Sequence, residues 1–234
     1  MSINQLKFEI AQIKSELDRV VNPIKTSYAD KAYNYLAIGN SITKHNICDY
    51  WWNDVGMAAS SQECDYVHRI VNYLEKQHGS VASEIYNFYI WEVQAADRSE
   101  TLGLIDVFLD SRLDLVTVQL GENVVNLESF ENDLCELIRY ITAKAPKAKI
   151  VLIDDFWEND KRYRMKKLAA ESQNILFADL KAVRNKKEYQ AGMGSQVMDK
   201  NGKVHVINHK GVAIHPGDFG MKYIADKVIE LIND

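Results

Sequence analysis

Short apolar runs alternate with stretches of helical spacing along most of this chain, and that alternation is the strongest constraint on its fold. Ile150-Val151-Leu152-Ile153 has no polar face, as expected of a strand covered on both sides. Tyr33 to Ile38 (closed by Gly39), Glu84 to Ile90, Leu113 to Leu120 (closed by Gly121) and Asn174 to Phe177 read as four further strands. Between them, Val67, Ile70, Val71 and Leu74 mark one helix face, and Phe130, Leu134, Leu137, Ile138 and Ile141 mark another. Met221, Ile224, Ala225, Val228 and Leu231 mark a last one. The β-α-β-α order predicts a mostly parallel sheet with helices on both faces. Such sheets carry their sites at the carboxyl ends of the strands. The alternation breaks between Met198 and Lys210. There Val204-His205-Val206-Ile207, after Asn201-Gly202, predicts a small hairpin forming one wall of a pocket.

Residues 1–24 stand apart. Ile3, Leu6, Ile10, Ile13, Leu17 and Val20 follow the three-four spacing of a helix seam, and Pro23 ends it. Two readings stay open for this amphipathic helix: docking on its own domain, or pairing in a homodimer. Residues 25–234 are expected to form one domain. The 234 residues hold only three prolines and no linker-like stretch.

A net charge of −5 argues against a nucleic-acid partner. The basic run Lys161-Arg162-Tyr163-Arg164-Met165-Lys166-Lys167 is expected on a solvated helix face. Cys48, Cys64 and Cys135 lack C-x-x-C spacing and read as reduced thiols. The first residues show no leader pattern, and no run approaches 18 apolar residues. The expectation is a cytoplasmic protein without a membrane partner.

Three positions stand out as chemistry. Gly39-Asn40-Ser41 ends the first strand, Gly121-Glu122-Asn123 ends the third, and His215-Pro216-Gly217-Asp218 precedes the last helix. A serine on a tight strand-to-helix turn above the sheet, an asparagine at a neighbouring strand end and a histidine on a facing loop would supply nucleophile, oxyanion donor and base. Each element alone is ordinary turn or boundary chemistry; their order and placement carry the argument. His205 and His209 do not read as a metal site, because their i, i+4 spacing needs a helix where a hairpin is expected.

These blocks resemble the SGNH (GDSL-like) hydrolases. The likeness rests on Leu36-Ala37-Ile38-Gly39-Asn40-Ser41-Ile42-Thr43, Gly121-Glu122-Asn123 and His215-Pro216-Gly217-Asp218-Phe219-Gly220-Met221. It extends over roughly residues 33–232. Gly56-Met57-Ala58-Ala59-Ser60 and Asp65-Tyr66-Val67-His68 add a likeness to a bacterial, carbohydrate-esterase-like subgroup. The resemblance implies an α/β fold of flavodoxin-like, three-layer α/β/α type around a central five-stranded parallel sheet. It also implies ester hydrolysis, often of acetyl groups on carbohydrates, without metal or organic cofactor. Two departures matter. The family's aspartate three residues before the histidine is Val212 here, and Glu92 stands where a glycine usually lends its N–H to the oxyanion hole.

The expected mechanism has His215 deprotonate Ser41, with the N–H of Ser41, the backbone N–H of Glu92 and the side chain of Asn123 holding the oxyanion. Glu92, Asp218, Asp155 and Asp154 are candidates to orient His215, and a backbone carbonyl could replace them all. Trp52, Trp91 and Trp157, with Tyr50 and Trp51, are candidate sugar-stacking groups. Acyl transfer by the same pair, or glycan binding without catalysis, are the competing readings.

Overall fold

In the computed structural model, residues 26–94 and 97–233 are described. The expected helix over residues 1–24, and any dimer built on it, lie outside the described residues.

Five parallel strands form the centre: β1 (Tyr33–Gly39), β2 (Val81–Asn87), β3 (Leu115–Gln119), β4 (Lys149–Ile153) and β5 (Leu176–Ala178). Their order is β2-β1-β3-β4-β5, the flavodoxin-like arrangement. Every residue of β3 is buried, and only Lys149 of β4 is exposed, so both strands are covered on both faces, with Thr117 and Gln119 as buried polar members. The helices are α1 (Tyr66–His78), α2 (Tyr89–Val93), α3 (Phe130–Lys144), α4 (Asp160–Ser172), α5 (Lys210–Ala213) and α6 (Asp218–Asn233). Helices α1 and α6 cover one sheet face through Val67, Ile70, Leu74, Met221, Ile224 and Val228. Helix α3 covers the other with Phe130, Leu134, Leu137 and Ile141, beside Ala169 and Ala170 of α4. The three-layer α/β/α fold and the five-stranded parallel sheet are as expected.

The predicted hairpin is present as β6 (Gln196–Met198) paired antiparallel with β7 (Val204–Val206). It belongs to a third small core in which Trp51, Val55 and Met57 meet Val197, Ile207, Val212 and Ala213. This core joins the loop after β1 to the segment that carries His215.

Three expectations need correction. The second strand lies earlier than Glu84–Ile90. Phe88 N–H donates to the Gly39 carbonyl at 2.6 Å and ends the pairing, while Asn87 Oδ1 accepts from Tyr89 N–H at 2.9 Å and opens α2. No helix follows Ser41 directly; residues 41–43 form a turn, and α1 begins only at Tyr66. The basic run on α4 is not wholly solvated. Lys166 is fully buried, its Nζ donating to the Ile153 carbonyl and to Asp155 Oδ1, both at 2.8 Å.

Gly39 is where β1 turns over into the site. A Cβ there would stand 1.9 Å from Thr43 Oγ1 and 2.8 Å from the Gln119 carbonyl oxygen. Gly39→Ala is therefore expected to cost about 1–3 kcal/mol of stability by overpacking. Urea denaturation checks this; an unchanged midpoint contradicts the constraint.

Candidate active site

The turn that carries Ser41 is built by Asn40. Its carbonyl accepts from the N–H groups of Thr43 and Lys44, both at 3.0 Å, and its Oδ1 accepts from Ile42 N–H at 3.0 Å. Asn40 N–H donates to Gln119 O at 3.1 Å. The neighbouring N–H groups are thus occupied, whereas that of Ser41 has no partner among the described residues. The 55–60 segment wraps the turn from outside: Met57 N–H donates to Ser41 O at 2.8 Å, and His45 N–H to Val55 O at 3.0 Å.

Ser41 Oγ lies 2.8 Å from His215 Nε2. The other ring nitrogen, Nδ1, lies 2.6 Å from the carbonyl oxygen of Gly211. A carbonyl can only accept, so Nδ1 carries the proton and Nε2 presents its lone pair to the serine hydroxyl. Gly211 belongs to α5, a four-residue helix whose last carbonyls have no intrahelical partner. One of these orphan carbonyls accepts from the imidazole where a carboxylate was expected. Val212, at the family's aspartate position, is fully buried in the third apolar core. Burial pushes the His215 pKa down to about 4, opposed by the Gly211 hydrogen bond and assisted by His45 and His209. Trp157 packs edge-on against the imidazole, with ring centroids 4.9 Å apart, and its Nε1 donates to Ile214 O at 3.1 Å.

The expected carboxylate partners of His215 point elsewhere. Asp218 accepts from Ser60 N–H at 2.9 Å and Ser60 Oγ at 2.6 Å, which pins the 55–60 segment to the start of α6. Asp155 is engaged by Arg162 and Lys166, and Asp154 by Arg184. Glu92 is buried and faces the asparagine block. Its Oε1 accepts from Gly121 N–H at 2.5 Å and Asn40 Nδ2 at 3.1 Å, and its Oε2 accepts from Asn123 Nδ2 at 2.6 Å. Glu92 itself lies inside α2 rather than on an open turn. Burial pushes its pKa up, against the hydrogen bonds from Asn123, Gly121 and Asn40.

Ser41 and His215 are therefore in direct contact, and Glu92 and Asn40 link Asn123 to the serine turn. Gly121, at φ +137°, has the backbone conformation that lets its N–H reach Glu92; a Cβ there would lie 3.0 Å from Asp155 Oδ1.

The aromatic candidates divide. Trp91 and Trp51 are fully buried, Trp91 between Phe130 and the Arg98 guanidinium, so neither can meet a substrate. Trp157 and Trp52 are half-buried. Trp52 stacks on His205 at 4.6 Å, and Tyr50 stacks on His209 at 4.3 Å. His205 is also held by Asp199. Among the described residues no group of three or more His, Cys, Asp or Glu could hold a metal ion.

Sequence reasoning missed Asn40 and Glu122. Both lie within the motif blocks, but only the fold reveals that Glu122 Oε2 accepts from Asn40 Nδ2 at 2.8 Å. It reached Gly211 only as an unnamed carbonyl, since backbone acceptors leave no mark on residue identity.

No protein-family model and no curated protein matches the chain. Solved structures do. A two-domain esterase active on acetylated mannans aligns with a TM-score of 0.54 at 14% identity, over 93% of this chain and 52% of that one. A protein from Parabacteroides merdae, named for its likeness to GDSL lipases, aligns at 0.54 and 15% identity, over 89% of this chain and 99% of that one. A psychrotrophic esterase from Pseudoalteromonas sp. aligns at 0.52 and 11% identity, over 86% of this chain and 96% of that one. At such identities the likeness is one of architecture: the chain has the three-layer α/β/α fold of the GDSL-like esterases and lipases.

Proposed function

We propose that this protein is a serine ester hydrolase that removes acyl groups, acetyl in particular, from a carbohydrate. The observation that carries the reading is the 2.8 Å contact between Ser41 Oγ and His215 Nε2, with the competent tautomer set by Gly211. Ser41 Oγ attacks the ester carbonyl carbon while its proton passes to Nε2. The unpartnered N–H of Ser41 and the carboxamide of Asn123 stabilise the oxyanion. The imidazolium then gives its proton to the departing alcohol, leaving an acyl-serine. Water, deprotonated by Nε2, attacks that ester, and the imidazolium returns the proton to Ser41 Oγ as the acid leaves. The imidazolium is supported by a carbonyl dipole instead of a full negative charge, in keeping with the lowered pKa of His215.

The carbohydrate part of the reading rests on the half-buried Trp157 beside His215, together with the fold shared with an esterase active on acetylated mannans. Indole faces suit the C–H faces of sugar rings.

Turnover of an activated acetate ester by the purified protein tests the reading. Ser41→Ala should abolish both turnover and labelling by an organophosphonate, and Asn123→Ala should lower kcat by about 10²–10³-fold. Activity surviving in Ser41→Ala contradicts the assignment. The pH dependence follows from the base. His215 works when neutral, and burial lowers its pKa to about 4. kcat/KM should thus stay level as pH falls through the ordinary histidine range and decline only toward about 4. The profile is to be read above the acid unfolding midpoint followed by circular dichroism; an acid limb at 6.5 or above contradicts it.

A further inference from the structure

Glu92 is a buried carboxylate beside the asparagine block that the mechanism above does not use. While its backbone carbonyl accepts from Arg98 Nη2 at 3.5 Å, its carboxylate pairs with no cation among the described residues. Its hydrogen bonds instead go to Asn40, Gly121 and Asn123, the groups that build the two strand ends of the site. Oε1 faces three donors: Gly121 N–H at 2.5 Å, Asn40 Nδ2 at 3.1 Å and, more distantly, Asn123 N–H at 3.4 Å. Oε2 faces one, Asn123 Nδ2 at 2.6 Å.

An asparagine carboxamide can present either its oxygen or its nitrogen to a neighbour, and the two ends are similar in size. Glu92 removes that choice as a carboxylate, the form its four N–H donors favour against the burial that raises its pKa. Lone pairs on Oε2 repel Oδ1 and attract Nδ2, so the amide is locked with nitrogen toward Glu92. One N–H of Nδ2 is spent on the carboxylate, and the second has no partner among the described residues. Asn40 is held as firmly. Its Nδ2 is shared between Glu92 and Glu122, and its Oδ1 is engaged by Ile42 N–H.

We propose that Glu92 is a positioning residue that fixes the carboxamide orientation of Asn123, so that one N–H of Nδ2 stays directed at the developing oxyanion. This inference rests on the esterase reading for its kinetic consequence, but its structural core does not. Glutamine in the same place cannot do the job. With its single oxygen turned to Gly121 and Asn40, its Nε2 faces Asn123, which must then offer Oδ1 and carry Nδ2 away from its site position. With the oxygen turned to Asn123, Nε2 opposes the Gly121 N–H.

The test compares wild type, Glu92→Gln, Asn123→Ala and the double variant on an activated acetate ester. Glu92→Gln should lower kcat by about 10²–10³-fold, as Asn123→Ala does, with KM changed less than threefold. In the Asn123→Ala background, Glu92→Gln should cost no further activity. Additive losses, or Glu92→Gln within threefold of wild type, overturn the proposal. A second readout needs neither turnover nor the Glu92 variant. In 15N-edited spectra, the side-chain amide signal missing from Asn123→Ala should show, in wild type, one downfield, exchange-protected proton. Two ordinary, freely exchanging protons overturn it. A wild type that turns over no ester yet keeps that amide signature sinks the esterase reading and leaves the clamp standing.

Discussion

The hydrogen bond from His215 Nδ1 to the Gly211 carbonyl decides what the rest of the site can do. Without an acceptor on that side, the imidazole could place its proton on Nε2 and would meet Ser41 as a donor instead of a base. The carbonyl comes from a helix of only four residues, whose own hydrogen-bond ladder leaves it unused. The apolar core under it leaves no room for a charge: Val212 packs there with Trp51, Val55, Ile207 and Ala213. An aspartate at that position would be buried among apolar groups, a cost that the valine avoids. The carbonyl and the valine are thus two sides of one solution, in which orientation is kept and the second negative charge is given up.

Behind the asparagine block lies a layer of buried charge. Glu122, Asp155 and Asp154 are faced by Lys166, Arg162 and Arg184. Burial opposes the charge on Lys166, but Asp155, Glu122 and Asp154 outweigh it and hold its pKa above the ordinary value. Burial, with Asp155 adding to it, pushes Glu122 up to about 7. Buried ion pairs seldom add net stability. Here the layer has a geometric use. Glu122 Oε1 accepts from Gln119 Nε2 at 2.8 Å and Phe156 N–H at 3.1 Å, and its Oε2 holds Asn40. The ends of β1, β3 and β4 are thereby joined by polar bonds, in register with the residues they present.

Much of this was legible in the residues themselves. The strands β1, β3 and β4 announce themselves because two-sided burial favours largely apolar runs, and the blocks around Ser41 and Asn123 sit where two of those runs stop, with His215 just before α6. Other features depend on contacts between distant segments and leave little local trace. Asn87 ends β2 inside a run of β-favouring residues, because its side chain caps the next turn. Trp91 resembles a surface aromatic until Phe130 and Arg98 enclose it. Lys166 sits in a basic run, yet α4 turns it inward to Asp155. The partner of His215 is a backbone oxygen, which every residue owns and no residue type reveals.

The central claim is the state of one imidazole, and 15N NMR of the histidine rings reads it directly. At neutral pH His215 should show a protonated Nδ1 and a bare Nε2, with no conversion to imidazolium until the pH falls well below 6.5. A proton found on Nε2 at neutral pH, or a ring already charged there, would contradict it.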